Sequence, residues 1–233
     1  MRAILTIDTT TTVCSVALVT ESGVVESRID RIGNNHSKVI GVFAKEILEI
    51  AQQSGYEICA VALSQGPGSY TGLRIGASFA KGFCYGNSIP LIAIPTLKIM
   101  ASAAARQTDA DTLLCPMIDA RRMEVYSAVY DASLNEIEAT KANIIDESSF
   151  NELLETKKIA FFGNGSSKCA GLLGRNPNAI FIDGIDPLAT EMGAMAWSAF
   201  NDKEFVDVAY FEPFYLKEFI ATTPKNKVLS YNH

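Results

Sequence analysis

The sequence predicts an α/β protein with two lobes of related build, each with a mixed sheet flanked by helices. Three observations lead to this fold class. Short apolar runs of strand type alternate with segments of helical periodicity, as in largely parallel sheets that carry helices on their faces. A pattern of strand, acidic turn and strand occurs at the N-terminus and returns about halfway along the chain. Hydrophobic residues make up 48% of the 233 residues, which is enough to form a sizeable core.

The first lobe is predicted to contain five strands and three helices. Apolar and β-branched runs predict the strands, at Ala3–Ile7, Val13–Val19, Val24–Arg31, Ile58–Leu63 and Leu91–Ile94. Apolar residues at helical spacing predict the helices, at His36–Gln52, Thr71–Tyr85 and Thr96–Arg106. Asn34, Asn35 and Ser37 are candidate caps for the first helix. A polar run at Gln107–Asp111 then marks a boundary, so the lobes are expected to span residues 1–106 and 107–205.

The second lobe repeats the opening pattern of the first. Ile118-Asp119 corresponds to Ile7-Asp8, and Val125–Val129 corresponds to Val13–Ala17 after an insertion of one residue. A duplicated hairpin followed by helix and strand is what an actin-like fold requires. Two unrelated hairpins that both carry an aspartate are the alternative. The remaining elements are predicted as helices at Glu147–Glu155 and Pro187–Phe200 and as strands at Ile159–Phe162 and Ala179–Ile182.

The C-terminal tail is rich in aromatic residues. Five of the ten residues Tyr210–Phe219 are aromatic, and an exposed tail would not carry so many apolar rings. We therefore expect the tail, residues 206–233, to pack back onto the first lobe and complete it. The part after Thr222 has no recognisable role in the sequence.

Charge and composition argue against several function classes. The formal net charge of −6 differs from the basic surface that nucleic-acid binding normally needs, so a partner would have to supply most phosphate contacts. No apolar window approaches the length of a membrane span, and the N-terminus lacks the pattern of a signal peptide. Five cysteines lie far apart without a CxxC pair, which favours a reduced, cytoplasmic protein without a disulfide framework.

The sequence predicts no catalytic residue and no metal site. A nucleophile elbow has the pattern GxSxG, and Pro67 and Thr71 stand where the glycines around Ser69 would be needed. Only two histidines are present, and the chain contains neither HxxxH nor HExxH. His36, at a predicted helix start, is typical of a capping or surface residue, and His233 is the last residue of the chain.

Phosphate binding is predicted to be weak at most. Gly66 and Gly68 precede a helix, whose N-terminus attracts anions, but the spacing matches neither GxGxxG nor a P-loop. The loop after Asp8 stands where an actin-like fold binds phosphate, yet it lacks the glycine that lets a backbone approach a phosphate. Asp8 as a turn residue or N-terminal cap is the alternative. The candidate contacts to a nucleotide or other ligand are Asp8, Thr10, Gly66, Gly68, Ser69 and Asp119.

The stretch Gln65–Gly76, QGPGSYTGLRIG, predicts a tight turn into a helix that Ser69 or Thr71 can cap. Inside this helix small residues recur every four positions, at Gly72, Gly76 and Ala80. Because glycine destabilises a helix interior by about 1 kcal/mol relative to alanine, the stripe indicates close approach of another backbone or of a ligand. The hypothesis is a helical interface with a like or related chain, and packing of the two helices on each other within the lobe is the alternative. The predicted interface residues are His36, Val39, Ile40, Phe43, Ile47, Gly72, Ile75, Gly76, Phe79 and Phe83.

The chain resembles the TsaB (YeaZ) family, whose members are subunits in tRNA threonylcarbamoyladenosine synthesis. The matching segments are SQGPGSYTGLRIG at 64–76, MIDARRMEVY at 117–126, the ID-T run at 7–12 and PFYLKEF at 213–219. They occur in the expected order along the whole chain, and the first two are long and specific. The resemblance implies an actin-like ASKHA fold of duplicated ribonuclease H-like lobes, with the C-terminal tail returning to the first lobe.

The resemblance also implies partners. It implies a homodimer when the chain is alone and a heterodimer with TsaD through the two first-lobe helices, with the ATPase TsaE joining the assembly. ATP and a metal ion would be used by these partners, and tRNA would be bound only through the complex. The chain lacks the paired histidines of its metal-bearing relatives, so the implied role is a non-catalytic scaffold. An actin-like ATPase or sugar kinase that uses Asp8 and Asp119, or an M22 metallopeptidase-like hydrolase, are the alternatives.

Overall fold

The computed structural model describes residues 1–33 and 35–216. The strands of the first lobe are β1 (Arg2–Asp8), β2 (Cys14–Thr20), β3 (Gly23–Asp30), β4 (Glu57–Gly66) and β5 (Leu91–Pro95). Its helices are α1 (His36–Gln53), α2 (Tyr70–Asn87) and α3 (Thr96–Ala105). The strands form one sheet in the order β3-β2-β1-β4-β5. The first three strands pair antiparallel, and β4 and β5 continue the sheet parallel to β1.

The second lobe follows the same plan. Its strands are β6 (Leu113–Asp119), β7 (Glu124–Tyr130), β8 (Glu136–Ile144), β9 (Ile159–Phe162) and β10 (Ala179–Ile182), and its helices are α4 (Asn151–Leu154), α5 (Ala170–Leu173) and α6 (Gly193–Asn201). The strand order is β10-β9-β6-β7-β8, so the first strand of each lobe is central and its neighbours are the second and the fourth. The duplicated α/β fold that the sequence predicts is therefore confirmed.

The strand register corrects the alignment of the two lobes. Asp8 lies opposite Ser15 in the first hairpin, and Asp119 lies opposite Val125 in the second. Ser15, and not Val13, is therefore the counterpart of Val125. A shift of two residues leaves every side chain on the same face of a strand, so the hydrophobic pattern cannot distinguish the two alignments.

Several elements differ from their prediction. Strand β8 was not predicted, because its sequence EIEATKANI is charged and half exposed at a sheet edge. Helix α4 is much shorter than predicted, since Phe150 just before it has a left-handed backbone with φ +64°. The helix predicted from Pro187 begins only at Gly193, after a 3-10 turn. Asn35 precedes α1 without a capping side-chain hydrogen bond, and Asn34 lies outside the described residues.

Two helices join the lobes. Helix α3 follows the last strand of the first sheet, yet its Leu97 and Met100 pack with Leu114 of the second sheet. Conversely, Trp197 of α6 packs with Ile4 on the first sheet. In each of these two apolar clusters, a helix from the chain segment of one lobe packs on the sheet of the other lobe. This burial of apolar surface favours a fixed arrangement of the lobes.

Within the described residues, the tail packs against the first lobe. Val206 N donates to Leu91 O, and Phe214 N donates to Gln65 O at 2.7 Å. Lys81 Nζ donates to the carbonyl oxygens of Ala209 and Phe211, both at 3.0 Å. The aromatic rings are not all buried, because Tyr210 is 85% exposed. Phe219 and the rest of the tail beyond residue 216 lie outside the described residues.

Helix α2 lies unusually close to the loop between β1 and β2. A Cβ atom on Gly72 would overlap the carbonyl oxygen of Thr9, and one on Gly76 would overlap the Thr9 hydroxyl. The Thr9 hydroxyl donates to Gly72 O at 2.8 Å, and Ser69 N donates to Thr10 O at 2.7 Å. The backbone that the glycine stripe approaches is therefore a loop of the same lobe.

This packing predicts opposite effects of alanine at two glycines of the same helix. Gly72→Ala should lower the free energy of unfolding by about 3 kcal/mol, since its methyl group would collide with backbone atoms of the loop. Gly82→Ala should raise it by about 0.5–1 kcal/mol, because that glycine is exposed and has no atom within 4 Å of an added Cβ. Urea unfolding of both variants and the parent chain measures the difference. If both changes altered the free energy of unfolding by the same amount, the close approach of α2 to the β1–β2 loop would be contradicted.

Candidate functional site

The turn before α2 has the predicted form. Gly66 ends β4 with φ +113°, and a Cβ there would press on the backbone of Phe214 from the tail. The Ser69 side chain accepts from Gly72 N at 3.3 Å and caps α2, while Thr71 already lies within the helix. Gly68 has no room for a side chain because Thr10 lies against it. The β1–β2 loop thus packs against one side of the turn, and the tail packs against the other.

The β1–β2 loop uses its own polar groups internally. Asp8 and Thr10 are fully buried. The Asp8 carboxylate accepts from Thr10 N at 3.0 Å and from the Thr10 hydroxyl, and it also bonds the Ser64 hydroxyl. His36 at the start of α1 bonds Thr11 O through Nε2 at 2.8 Å. The two groups of this loop that are predicted to contact a nucleotide, Asp8 and Thr10, are thus hydrogen-bonded to each other inside the lobe.

Burial changes the chemistry of Asp8. Removal from water disfavours its charged form and raises the pKa of the carboxyl to about 7, against the opposing hydrogen bonds from Ser64 and Thr10. A carboxyl that is sealed from solvent and fully hydrogen-bonded supports a structural role for Asp8 in closing the loop.

The ten predicted interface residues divide into two groups. His36, Ile40, Ile47, Gly72 and Gly76 are buried within the lobe. Val39, Phe43, Ile75, Phe79 and Phe83 are half-buried and pack against the core with part of their surface exposed. The second group therefore lies at the outer surface of α1 and α2, where a partner could reach it.

The exposed small residues of α2 were not predicted as interface residues from the sequence. Three of them, Thr71, Ser78 and Gly82, lie on one side of the helix and are exposed. With Ile75 they recur at positions i, i+4, i+7 and i+11, a second helical stripe that the sequence contains beside the glycine stripe. Val42 on α1 is also 52% exposed.

A groove of about 440 Å³ opens between the N-terminal halves of α1 and α2. Its lining residues are Ser37, Ile40, Tyr70, Thr71, Arg74, Ile75 and Ser78. The guanidinium of Arg74 lies 5.6 Å from the ring centroid of Tyr70, and the Tyr215 ring of the tail lies 5.0 Å from the same ring. We call the groove together with the exposed side of α2 from Thr71 to Gly82 the α1–α2 face.

Asp119 occupies a different setting from Asp8. Its side chain is 50% exposed and pairs with Lys168 Nζ, which also donates to Glu124 O at 2.6 Å. Its backbone nitrogen donates to Asn164 Oδ1 at 2.9 Å. The structure thus separates the predicted ligand contacts: five of them lie where the β1–β2 loop meets the turn before α2, and Asp119 belongs to an exposed turn of the second lobe.

Other kinds of site find little support among the described residues. In residues 1–33 and 35–216, no three His, Cys, Asp or Glu side chains lie together in a way that could hold a metal ion. His233 lies outside this part. All five cysteines are free thiols in the structure. No helix within the described chain is both long enough and apolar enough to cross a membrane.

Comparison with known proteins places the chain among tRNA-modification proteins. The family model described as TsaD, tRNA N6-adenosine threonylcarbamoyltransferase, matches residues 23–170. The tRNA threonylcarbamoyladenosine biosynthesis protein TsaB of Escherichia coli is 34% identical over 224 residues, which cover 94% of this chain and 96% of that protein. The TsaB protein of Bacillus subtilis is 33% identical over 127 residues and 54% of each chain.

A solved structure agrees with these relatives. An uncharacterised protein from Pseudomonas aeruginosa, with similarity to peptidase YeaZ, superposes with a TM-score of 0.78 and 25% identity. The superposition covers 93% of this chain and all of that one. Similarity in sequence and in fold thus extends over nearly the whole chain, which belongs to the TsaB (YeaZ) family.

Proposed function

We propose that this chain is a non-catalytic subunit of the complex that transfers a threonylcarbamoyl group to adenosine next to the anticodon of tRNA. The names of its TsaB relatives support the pathway. The observation that carries the subunit role is the contrast within the first lobe: the loop that would bind a nucleotide buries Asp8 and Thr10, whereas the α1–α2 face is exposed. ATP and a metal ion belong to the partner subunits in this proposal.

The proposed partner is TsaD, the transferase, bound through the α1–α2 face. The family model that matches residues 23–170 is that of TsaD, and this range includes both helices. A partner with related helices can pack face to face with this chain in a pseudo-symmetric pair, as like chains do in a dimer. The same argument makes a homodimer the state of the isolated chain, and TsaE then joins the assembly with TsaD.

The residues of the α1–α2 face suit a protein partner. Thr71, Ser78 and Gly82 allow another helix to approach closely, and the half-buried Phe79 and Phe83 add apolar area beside them. Tyr70 and Arg74 in the groove are of the types that contribute most of the binding energy at protein interfaces. Aromatic residues and arginine are enriched in the cores of protein interfaces.

The two enzymatic alternatives are less well supported. An actin-like ATPase or sugar kinase would need Asp8 at the nucleotide, but Asp8 is fully buried. An M22-like metallopeptidase would need a set of metal ligands, and the described residues contain no such group. Neither alternative uses the α1–α2 face.

The interface proposal predicts that an arginine at Gly82 weakens partner binding. Gly82 is exposed, and an added side chain meets no atom within 4 Å, so Gly82→Arg should leave the fold intact. The affinity for TsaD, measured by calorimetry, should fall about tenfold or more because the arginine blocks close approach of the partner helix.

The matched control is Gly171→Arg. Gly171 is an exposed helical glycine with equally open surroundings, but it lies on α5 of the second lobe. This variant should bind TsaD as the parent chain does. Normal binding by Gly82→Arg, or equal losses in both variants, would argue against the α1–α2 face as the interface.

A structural role for Asp8 predicts a specific pH dependence. Because the pKa of Asp8 is raised to about 7 in the folded chain from an ordinary value of 3.8, its burial lowers stability as pH rises from 4 to 7. The decrease amounts to about 4 kcal/mol and then levels off. In Asp8→Asn this part of the pH dependence should disappear, and tRNA modification should persist.

Urea unfolding of the parent chain and Asp8→Asn between pH 4 and 8 measures the effect as a difference between the two proteins. A difference that stays constant with pH would contradict the buried neutral carboxyl. Loss of tRNA modification in a folded Asp8→Asn would instead support the ATPase alternative.

A further inference from the structure

The exposed turn between β6 and β7 has a backbone that its sequence does not favour. Arg121 and Arg122 both have positive φ, at 74° and 46°. Consecutive residues of this kind in hairpin turns are usually Asn, Asp or Gly, since a Cβ atom disfavours the left-handed region. The residue type and the backbone conformation therefore disagree at both arginines. Such disagreements in folded proteins are often found at functional sites.

The surrounding residues fix the turn in this conformation. Arg121 N donates to the Asp119 carboxylate, and Glu124 N donates to Arg121 O, both at 3.1 Å. Ala120 N donates to Glu124 O at the same distance. Lys168 Nζ donates both to the Asp119 carboxylate and to the carbonyl oxygen of Glu124, so it links these two residues. The two arginine side chains therefore project from a turn that is held at its base.

Arg121 and Arg122 differ from the other arginines of the chain in their side-chain contacts. Within residues 1–33 and 35–216, every other arginine makes an ion pair with a carboxylate or lies over an aromatic ring. The side chains of Arg121 and Arg122 do neither, and both residues are exposed. In a chain with a net charge of −6, two neighbouring guanidinium groups thus have no ion pair with a carboxylate in the part of the chain that the structure describes.

The shape of the surface indicates what kind of anion fits. Neither the α1–α2 groove nor the second cavity, of about 360 Å³ between α4 and α5, includes the turn. Two arginines that project from an exposed turn suit a polyanion, which brings its own surface and several phosphates to them. Guanidinium groups bind phosphate oxygens in a bidentate manner, which fixes orientation as well as contributing affinity.

We propose that the turn Ala120–Met123 binds the phosphate backbone of the tRNA in the assembled complex, a proposal that rests on the proposed function. The corresponding loop of the first lobe, Thr9–Val13, is packed against α2 and α1 and carries no basic residue. Of these two hairpin turns, only the one in the second lobe therefore presents positively charged side chains to a ligand. With two contacts of this kind, the chain orients the tRNA, and its partners supply most of the affinity.

The test is tRNA binding by the full-length chain in its complex with TsaD at several salt concentrations. The double variant Arg121→Gln/Arg122→Gln should bind about tenfold more weakly, and the slope of log affinity against log salt should decrease by about 1.5. The matched control is Lys157→Gln/Lys158→Gln, which removes the same charge from another exposed basic pair. The control should bind tRNA as the parent complex does.

A second variant separates binding from folding. Arg121→Gly/Arg122→Gly removes the same side chains and places glycine where φ is positive, so the melting temperature should rise by about 4 °C. Its complex should nevertheless bind tRNA as weakly as the glutamine variant. Weak binding by a more stable protein would support direct contact of the arginines with the phosphates.

Complex formation is measured first, by size-exclusion chromatography. Parental affinity and salt slope in both arginine variants, within intact complexes, would overturn the tRNA contact and leave the proposed function standing. Equal losses in the lysine control would overturn it too, because only net charge would then matter. Variants that no longer assemble with TsaD would assign the turn to a protein contact. Failure of the parent chain to bind TsaD would overturn the proposed function itself.

Discussion

The close contact between helix α2 and the β1–β2 loop determines the character of the first lobe. Gly72 and Gly76 let the helix backbone approach Thr9 so closely that no side chain would fit between them. The loop residues Thr9–Thr11 are buried at this contact, and Asp8 is buried beside them. The same contact also turns the other side of α2 outward, where Thr71, Ile75 and Ser78 line the groove with α1. The buried loop and the exposed face therefore lie on opposite sides of one packed helix.

The duplication makes the different use of the two lobes visible. Both sheets have the same strand order, and an aspartate ends the first strand of each. In the first lobe most of the hairpin loop is buried, and the backbone nitrogen and hydroxyl of Thr10 donate to Asp8. In the second lobe the corresponding turn is exposed and holds two arginines in a strained backbone. The same strand order thus carries a structural loop in one lobe and an exposed, positively charged turn in the other.

Much of the fold can be predicted from the sequence because hydrophobic period and turn residues agree along most of the chain. The repeat of Ile7-Asp8 at Ile118-Asp119 correctly indicated the duplication. The glycine stripe correctly indicated a close approach, but a pattern cannot say which backbone comes near, and the neighbour is Thr9 of the same chain. Edge strand β8 could not be recognised, since its charged, half-exposed sequence lacks an apolar face. The strain at Arg121 and Arg122 depends on backbone angles that composition does not encode.

The central claim is that this chain supports tRNA threonylcarbamoylation through its partner face without a catalytic site of its own. The most direct measurement is depletion of the protein in its own organism, followed by mass-spectrometric nucleoside analysis of bulk tRNA. The account predicts that threonylcarbamoyladenosine falls as the protein is depleted and returns when the parent chain is supplied. An undiminished level of threonylcarbamoyladenosine in depleted cells would contradict it.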